Sequence, residues 1–115
     1  MNTLCNSVKL IGRVGQDPEV RNLEKGNKVA SFTLATNEVY TDKEGEKREI
    51  TQWHNIVTWG GLATVVEKYL TKGKQVAIDG RIGYRNWEDK FGSKHVKTEI
   101  TANELMMLGN KPKTE

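Results

Sequence analysis

The sequence is poor in cysteine, in histidine and in long apolar runs, and each shortage excludes a class of protein. Cys5 is the only cysteine among 115 residues, which excludes an internal disulfide and a four-cysteine zinc site and favours a reducing compartment such as the cytoplasm. The only histidines, His54 and His95, are too few for a three-ligand metal site without scattered carboxylates. There is no Gly-x-x-x-x-Gly-Lys phosphate loop either, so we predict no metal and no cofactor.

No segment approaches the roughly 20 consecutive apolar residues of a membrane-spanning helix. The first residues also lack the basic and apolar pattern of an export signal, so we expect a soluble, untargeted chain. The chain is long enough to bury a core as one domain, which we assign to residues 1–109, with a short polar tail at residues 110–115. The net charge of +3 permits a polyanionic partner such as nucleic acid but does not require one.

Five segments in which apolar and polar residues alternate predict five β-strands. These strands cover residues 8–14, 28–37, 50–59, 75–87 and 95–107. In the third strand, Trp53, Asn55 and Trp59 share one face, whereas His54 and Ile56 share the other face. Two tryptophans are therefore expected to project together from one side of this strand.

One amphipathic helix is predicted between the third and fourth strands. Apolar residues recur at helical spacing from Leu62 to Leu70, and Gly73 is expected to end the helix. Tyr69 lies on this apolar stripe and Phe32 lies within the second strand, so both are predicted to be core residues. Three strands, one helix and two strands, with glycines that let the strands curve, are typical of the OB-fold, a five-stranded Greek-key barrel. Many OB-folds bind oligonucleotides, but the fold alone does not assign a function.

The few aromatic residues indicate what the domain binds. Tyr40, Trp53, Trp59 and Trp87 lie on or beside strands whose other outward residues are polar or basic. Unpaired bases stack on aromatic rings while cations follow the phosphates, so this constellation predicts a surface for single-stranded nucleic acid. Any one tryptophan could also be a core residue, and the prediction rests on the four residues together. Phe91, in an exposed turn, could pack locally or contact a ligand.

Basic residues distributed around these aromatics are candidate phosphate contacts. A single surface Lys or Arg is more often only a solvated charge, so the set carries the prediction rather than any member. The candidates are Arg13, Arg21, Lys43, Lys47, Arg48, Lys72 and Arg85.

Motifs spread over nearly the whole chain, to about Gly109, together match one family. They are Gly15-Gln16-Asp17-Pro18-Glu19-Val20-Arg21, Leu34-Ala35-Thr36, Thr51-Gln52-Trp53-His54, Tyr69-Leu70-x-Lys72-Gly73 and Arg85-x-Trp87. With them the chain resembles the bacterial single-stranded DNA-binding proteins. The resemblance implies a homotetramer that binds single-stranded DNA in replication, recombination and repair, in the cytoplasm and associated with the nucleoid. It also implies that Tyr40, Trp53, Trp59 and Trp87 stack on bases, and that His54 lies at a subunit interface.

The sequence departs from this family at its end. The family usually continues through a flexible linker rich in Gly, Pro and Gln into an acidic tip that recruits replication and repair enzymes. The present sequence ends in Lys-Pro-Lys-Thr-Glu without such a tip. The resemblance therefore implies DNA binding and a tetramer, but it gives no support for replication and repair proteins as partners.

We predict a non-enzymatic, largely sequence-independent binder of single-stranded DNA, and three alternatives stay open. A related primosomal replication protein has the same barrel and binds single strands as a dimer. A metal-dependent OB-fold nuclease would use Asp79 or Glu99. A protein-interaction module would present the aromatic residues to a partner protein.

Overall fold

The fold is a closed β-barrel with one α-helix packed against it. The structure is a computed structural model that describes residues 3–108, so the predicted tail at residues 110–115 lies outside the described residues. No helix among residues 3–108 is long and apolar enough to cross a membrane. The elements are a short 3-10 helix at Thr3–Cys5, β1 at Val8–Val14, β2 at Glu19–Asn22, a 3-10 helix at Glu24–Gly26, β3 at Lys28–Thr41, β4 at Lys47–Trp59, α1 at Gly60–Tyr69, β5 at Gln75–Glu88 and β6 at Lys94–Met107.

Five of the strands close on themselves in the order β1, β5, β6, β4 and β3, with β3 returning to β1. Neighbouring strands run antiparallel except for β4 and β6, which run parallel. β1 pairs with β5 over most of its length and reaches β3 only at Arg13 and Val14, where the barrel closes. β2 extends the sheet beyond β3. The predicted OB-fold barrel is confirmed.

Two glycines permit close backbone approaches within this barrel. A Cβ atom at Gly12 would collide with the carbonyl oxygen of Ala35, and one at Gly80 would collide with the carbonyl oxygen of Thr101. The register between β5 and β6 also shifts at Gly80, which is the signature of a β-bulge. The extra residue is Asn103 on β6, and because a bulge bends the strand that carries it, this position helps β6 to curve around the barrel.

Alternate residues of the strands fill the interior of the barrel. Phe32 of β3 and Ile56 of β4 are buried, and Val66 of α1 packs into the same core. The buried hydroxyl of Thr58 donates a hydrogen bond of 2.9 Å to the carbonyl of Ala30, so it carries no unpaired polar group into the core. The predicted core position of Phe32 and the predicted parity of β4 are confirmed.

The structure differs from the predictions in β2 and α1, and β3 and β4 extend beyond their predicted bounds, to Thr41 and from Lys47. β2 is not predicted from the sequence, because it has only four residues and Val20 is its single apolar one. Tyr69 is predicted to be a core residue, but its side chain is 57% exposed. The buried stripe of α1 runs through Ala63 and Val66 to Leu70, so Tyr69 lies at the edge of that stripe rather than within it. The helix ends at Tyr69, and Gly73 belongs to the turn that follows, where its φ is +90°.

Candidate nucleic-acid interface

The three tryptophans lie on the outer surface of the barrel. Trp53 and Trp59 point outward from β4 and Trp87 points outward from β5, because the alternate residues nearer the barrel on each strand are buried. β4 meets β6 at the pairing of Val57 with Thr101, which sets the outward faces of the two hairpins side by side. The tryptophans are 62%, 52% and 49% exposed, respectively. They are therefore accessible rings and not core residues.

Trp53 lies directly against the backbone of Gly15. A Cβ atom at Gly15 would be only 2.5 Å from Cζ3 of Trp53 and 2.6 Å from Oγ1 of Thr33. The N–H of Gly15 donates a hydrogen bond of 2.8 Å to the carbonyl of Thr33, which anchors the glycine to β3. The missing side chain at position 15 thus gives the indole a supporting surface while most of the ring stays exposed.

A groove of about 550 Å³ lies beside Trp59. Arg21 of β2, Arg85 of β5 and Lys97 of β6 line it. Glu99 also lines the groove, with its carboxylate 2.8 Å from Arg85 and 3.9 Å from Lys97. The structure therefore brings the predicted Arg21 and Arg85 together, and it adds Lys97, which the sequence pattern did not single out.

A second basic cluster lies beside Trp53. Arg13, Lys72 and Lys74 line a recess of about 420 Å³. Arg13 pairs with Ala35 of β3, and Ala35 pairs in turn with Trp53 of β4, so these residues form a row across the outer surface. The predicted Arg13 and Lys72 are thereby brought together, and Lys74 joins them. One group of cations therefore lies in the groove among the tryptophans, where Lys97 also lines a recess with Trp53, and the other group lies across β3 from Trp53.

Tyr40 does not share the face of the tryptophans. β3 pairs with β4 in a continuous register out to Thr41, so the alternation of faces is maintained along the hairpin. Tyr40 lies an even number of residues from the buried Phe32 and Leu34, so its side chain is on their face of β3. Trp53 is paired with Ala35, which lies on the opposite face. Tyr40 is 47% exposed, but it lies on the other face of the β3–β4 hairpin. The four predicted stacking residues are thus arranged as three on one surface and one apart.

The outer end of the β3–β4 hairpin, residues 38–50, is called here the first arm. At its tip the Oδ1 atom of Asp42 accepts hydrogen bonds from the backbone N–H groups of Glu44 and Glu46, at 3.0 and 2.9 Å. The Oδ2 atom of Asp42 accepts a bond of 2.8 Å from Nε of Arg48. The Arg48 guanidinium, followed by the backbone bonds, lowers the pKa of the Asp42 carboxyl. Gly45 completes the turn with a φ of +81°.

The outer end of the β5–β6 hairpin, residues 85–97, is the second arm, and its tip has the same construction. The Oδ1 atom of Asp89 accepts bonds of 2.9 Å from the backbone N–H groups of Phe91 and Ser93. The Oδ2 atom of Asp89 accepts a bond of 2.9 Å from Nε2 of His95. The bond from His95, followed by the backbone bonds, lowers the pKa of the Asp89 carboxyl. Gly92 has a φ of +85°.

A repeated pattern in the sequence accounts for the similarity of the two tips. Residues 40–48 read Tyr-Thr-Asp-Lys-Glu-Gly-Glu-Lys-Arg, and residues 87–95 read Trp-Glu-Asp-Lys-Phe-Gly-Ser-Lys-His. Both begin with an aromatic residue, carry Asp, Lys, Gly and Lys at the same spacing, and end in a basic residue. Aligning the two turns places His95 at the same position as Arg48, the residue that closes the first turn. Predictions made for each strand separately do not single out His95.

The remaining predicted residues are distributed around these features. Lys43 and Lys47 are exposed on the first arm, where the Arg48 guanidinium is engaged by the carboxylates of Asp42 and, at 3.7 Å, of Glu46. His54 is half-buried, with Nε2 hydrogen-bonded at 2.9 Å to Oγ1 of Thr36. Phe91 is 84% exposed at the tip of the second arm. Within residues 3–108, no three His, Cys, Asp or Glu residues are grouped to hold a metal ion.

The sequence is similar to characterised proteins along most of its length. Residues 5–108 match the family model described as "Single-strand binding protein family". "Single-stranded DNA-binding protein 1" of Chlorobaculum tepidum is 49% identical over 107 residues, which are 92% of this chain and 66% of that protein. "Single-stranded DNA-binding protein 1" of Xylella fastidiosa is 43% identical over 107 residues, which are 92% of this chain and 79% of that protein.

Solved structures have the same barrel. The Plasmodium falciparum SSB in its complex with ssDNA superposes with a TM-score of 0.85 at 36% sequence identity, covering 90% of this chain and 95% of that chain. A deletion mutant of the single-stranded DNA-binding protein from Thermus aquaticus superposes with a TM-score of 0.81 at 28% identity, covering 92% of this chain and 51% of that chain.

Proposed function

Because the chain belongs to the single-strand binding protein family, we propose that it binds single-stranded DNA without sequence specificity and protects it in replication, recombination and repair, on the nucleoid in the bacterial cytoplasm. One observation carries the proposal. Three exposed tryptophans share an outer surface that has one cluster of cations in the groove among them and a second cluster across β3 from Trp53. The DNA-binding unit in this proposal is the domain at residues 1–109.

Base stacking supplies the sequence-independent part of the affinity. Trp53, Trp59 and Trp87 each offer a flat apolar ring on a strand of the barrel, and every base has a π face that can stack on such a ring. A stacked base contributes roughly 1–3 kcal/mol. The rings are already exposed and held by paired strands, so little side-chain ordering is needed when a base arrives.

Phosphate contacts supply the salt-dependent part of the affinity. Arg13 and Lys72 beside Trp53, and Arg21 and Arg85 beside Trp59, are positioned to follow a backbone that passes over the rings. Each phosphate that they neutralise on a single strand lowers the slope of log affinity against log salt by about 0.7. Affinity for a single strand should therefore fall steadily as salt is added.

Tyr40 and the cations of the first arm have a separate role in this proposal. Tyr40 stacks on a base only where the strand passes to the other face of the β3–β4 hairpin. Lys43, Lys47 and Arg48 would accompany the phosphates there. Because Arg48 already bonds two carboxylates, Lys43 and Lys47 are the stronger candidates of the three.

The functional unit that we propose is a homotetramer. Ile11, Ala77 and Met106 form a row across β1, β5 and β6, and Ile11 and Met106 are 60% and 64% exposed. This row lines a largely apolar recess of about 840 Å³. Apolar patches of this kind are typical of protein contacts, and we assign this one, together with His54, to contacts between subunits.

Light scattering after size-exclusion chromatography tests the assembly. We expect the mass of a tetramer, whereas a dimer would favour the primosomal alternative. Ile11→Glu should reduce the mass because it buries a charge in the contact. Val39→Glu is the matched control, because Val39 is an equally exposed apolar residue at 64%, on the first arm. An unchanged mass for Ile11→Glu would remove this row from the interface.

We propose no catalytic role for the chain. Asp79 is paired with Lys9 at 3.2 Å, and Glu99 is paired with Arg85 at 2.8 Å, so both carboxylates of the nuclease alternative are engaged by cations. A labelled oligonucleotide incubated with the protein and Mg²⁺ or Ca²⁺ should stay intact. Its cleavage by the wild type, abolished by Asp79→Asn or Glu99→Gln, would support the nuclease instead.

Titration of tryptophan fluorescence with oligo(dT) tests the DNA binding directly. The single strand should quench the emission strongly, less so at high salt, and a duplex of equal length should have little effect. Trp53→Ala should weaken binding by about 5- to 150-fold, the equivalent of one lost stacking contact, without lowering the Tm. Tyr84→Ala is the control, because Tyr84 is 67% exposed but has the opposite parity to Trp87 on β5. Equal quenching by duplex and single strand would favour the protein-interaction module.

A second variant tests the position of Trp53 without removing its ring. Gly15→Ala adds a methyl group that must displace the indole or Thr33. We expect weaker binding of oligo(dT) together with a shifted emission spectrum of the free protein. Unchanged affinity with a shifted spectrum would show that the position of the Trp53 ring is not important for binding.

A further inference from the structure

Trp87 stacks on a histidine, His95, which has no role in the base stacking and phosphate contacts proposed above. His95 of β6 pairs with Trp87 of β5, and their rings stack with centroids 4.3 Å apart and planes inclined by 20°. The Nε2–H group of His95 donates to Oδ2 of Asp89 at 2.9 Å. Trp87 stays 49% exposed, so its ring is supported by the imidazole and still accessible to a base.

Protonation of this imidazole would strengthen both of its contacts. The neutral ring already donates one N–H to the charged carboxylate, and protonation adds a positive charge that attracts this carboxylate more strongly. A cation stacked on an indole also gains a cation–π interaction, for which Trp is the best partner. The lowered pKa of Asp89 keeps its carboxylate charged throughout the range in which histidines ordinarily titrate.

The charged groups around His95 leave Asp89 as its direct counter-ion. Arg85 on β5 and Lys97 on β6 share the outward face of His95 on the second arm. Both of these cations have Glu99 as a partner, at 2.8 and 3.9 Å. The turn contributes Asp89, which is the carboxylate hydrogen-bonded to the imidazole.

We propose that His95 is a positioning residue whose protonation fixes Trp87 for base stacking, so that affinity for single-stranded DNA rises as pH falls through the range in which histidine titrates. The inference rests on the proposed function, because it concerns one ring of that same surface. The first arm has the same turn but closes it with Arg48, whose charge does not change in this range. The dependence on pH should therefore belong to the second arm alone.

The test is the affinity for oligo(dT) between about pH 8.5 and about pH 5.5, at constant ionic strength. Thymine keeps its charge state over this range, so changes arise in the protein. The wild type should bind about two- to fivefold more tightly at the acidic end, as expected for an exposed cation–π contact. His95→Arg should bind tightly at both ends of the pH range, without the gain in affinity at acidic pH. His95→Gln should bind weakly at both ends and should also lack this gain. An equal pH dependence in wild type and His95→Arg would overturn the proposal.

Two further readouts separate positioning from other roles. If His95 contacted a phosphate directly, its protonation would steepen the salt slope by about 0.7, whereas positioning leaves the slope unchanged, so a steeper slope contradicts the proposal. In a Trp53→Phe, Trp59→Phe background, Trp87 is the only tryptophan. Its emission in the free protein should fall on acidification because a stacked imidazolium quenches indole, and adding His95→Arg should remove that fall. A Trp87 emission that ignores His95 would overturn the proposal.

The failure of this inference is distinguishable from that of the proposed function. If no variant binds oligo(dT) at any pH, the proposed DNA binding is wrong. If the wild type binds oligo(dT) tightly but with the same affinity at both ends of the pH range, only the role of His95 is wrong.

Discussion

The two arms have the same turn but present their aromatic residues to opposite faces. Tyr40 and Trp87 each lie two residues before the aspartate of the turn, and each is paired across the hairpin with a basic residue. Tyr40 is separated from the buried Leu34 by an even number of positions, whereas Trp87 is separated from the buried Ile78 by an odd number. Because side chains alternate along a strand, a difference of one residue moves the ring to the other face.

The comparison shows how one local motif yields two surfaces. The turn places the aromatic residue opposite a basic residue on the neighbouring strand. The number of residues between the turn and the barrel then determines on which face of the hairpin this pair lies. The closing residues differ in chemistry, because the guanidinium of Arg48 keeps its charge whereas an imidazole closes the second tip. Under the proposal made for His95, only the second arm would change its closing contact with pH.

The largest expected difference between the arms concerns their aromatic residues. Trp87→Ala should weaken binding of oligo(dT) by about 5- to 150-fold, because it removes a ring from the surface shared with Trp53 and Trp59. Tyr40→Ala should cost about twofold or less on a short oligonucleotide, which need not reach the other face of the first arm. Fluorescence titration measures both. Equal losses would show that strand parity does not decide which rings contact DNA.

A smaller effect should follow from exchanging the closing residue of the first arm. Arg48→His gives the first tip the same carboxylate–imidazole pair as the second tip. We expect the backbone N–H groups of Glu44 and Glu46 to exchange with solvent severalfold faster above about pH 6.5 than below it, after correction for intrinsic exchange, because the imidazole then loses its charge. Hydrogen exchange followed by NMR checks this. Protection that does not depend on pH would mean that the turn needs no closing cation.

The smallest expected difference is found in acid, where both arms should behave alike. The pKa values of Asp42 and Asp89 are lowered below 3.8, so both carboxylates bind protons less readily when folded than when unfolded. Their contribution to stability is therefore fully present above about pH 3.8 and is lost as pH falls through the lowered pKa values. NMR titration of the two aspartates should give midpoints below 3.8 at both tips. A normal midpoint in one arm alone would show that its closing bond is not formed in solution.

The sequence predicted the barrel because its signal is periodic. Ile56 and Trp53 are correctly assigned to opposite faces, since alternation within a strand depends only on neighbouring residues. Tyr69 was assigned wrongly because the width of a buried helix stripe depends on the surface it packs against, and the sequence does not contain that surface. β2 was missed because pairing with β3, rather than its own composition, makes Glu19–Asn22 a strand.

The candidate site was predicted in part for the same reason. The exposure expected for Trp53, Trp59 and Trp87 is present, and their role in binding DNA stays a prediction. Tyr40 faces away from the tryptophans because it lies an even number of residues from Phe32. The strand predicted from the sequence ends at residue 37, so that prediction does not extend the alternation of faces to Tyr40. Lys74 and Lys97 join the basic clusters only through pairing between distant strands, which no local pattern reveals.

The short seam at which β1 meets β3 has a consequence for how the barrel opens. Only Arg13 and Val14 pair there, and the junction of β4 with β6 is equally short, so we expect local opening to begin at one of these two junctions rather than within a long hairpin. The row from Arg13 through Ala35 to Trp53 crosses this seam. If DNA binds along that row as we propose, the bound strand would connect β1 to β4 and suppress opening by mass action on the closed form. The nucleic acid would then stabilise the closed barrel, and the Tm should rise most with a strand long enough to bridge the seam.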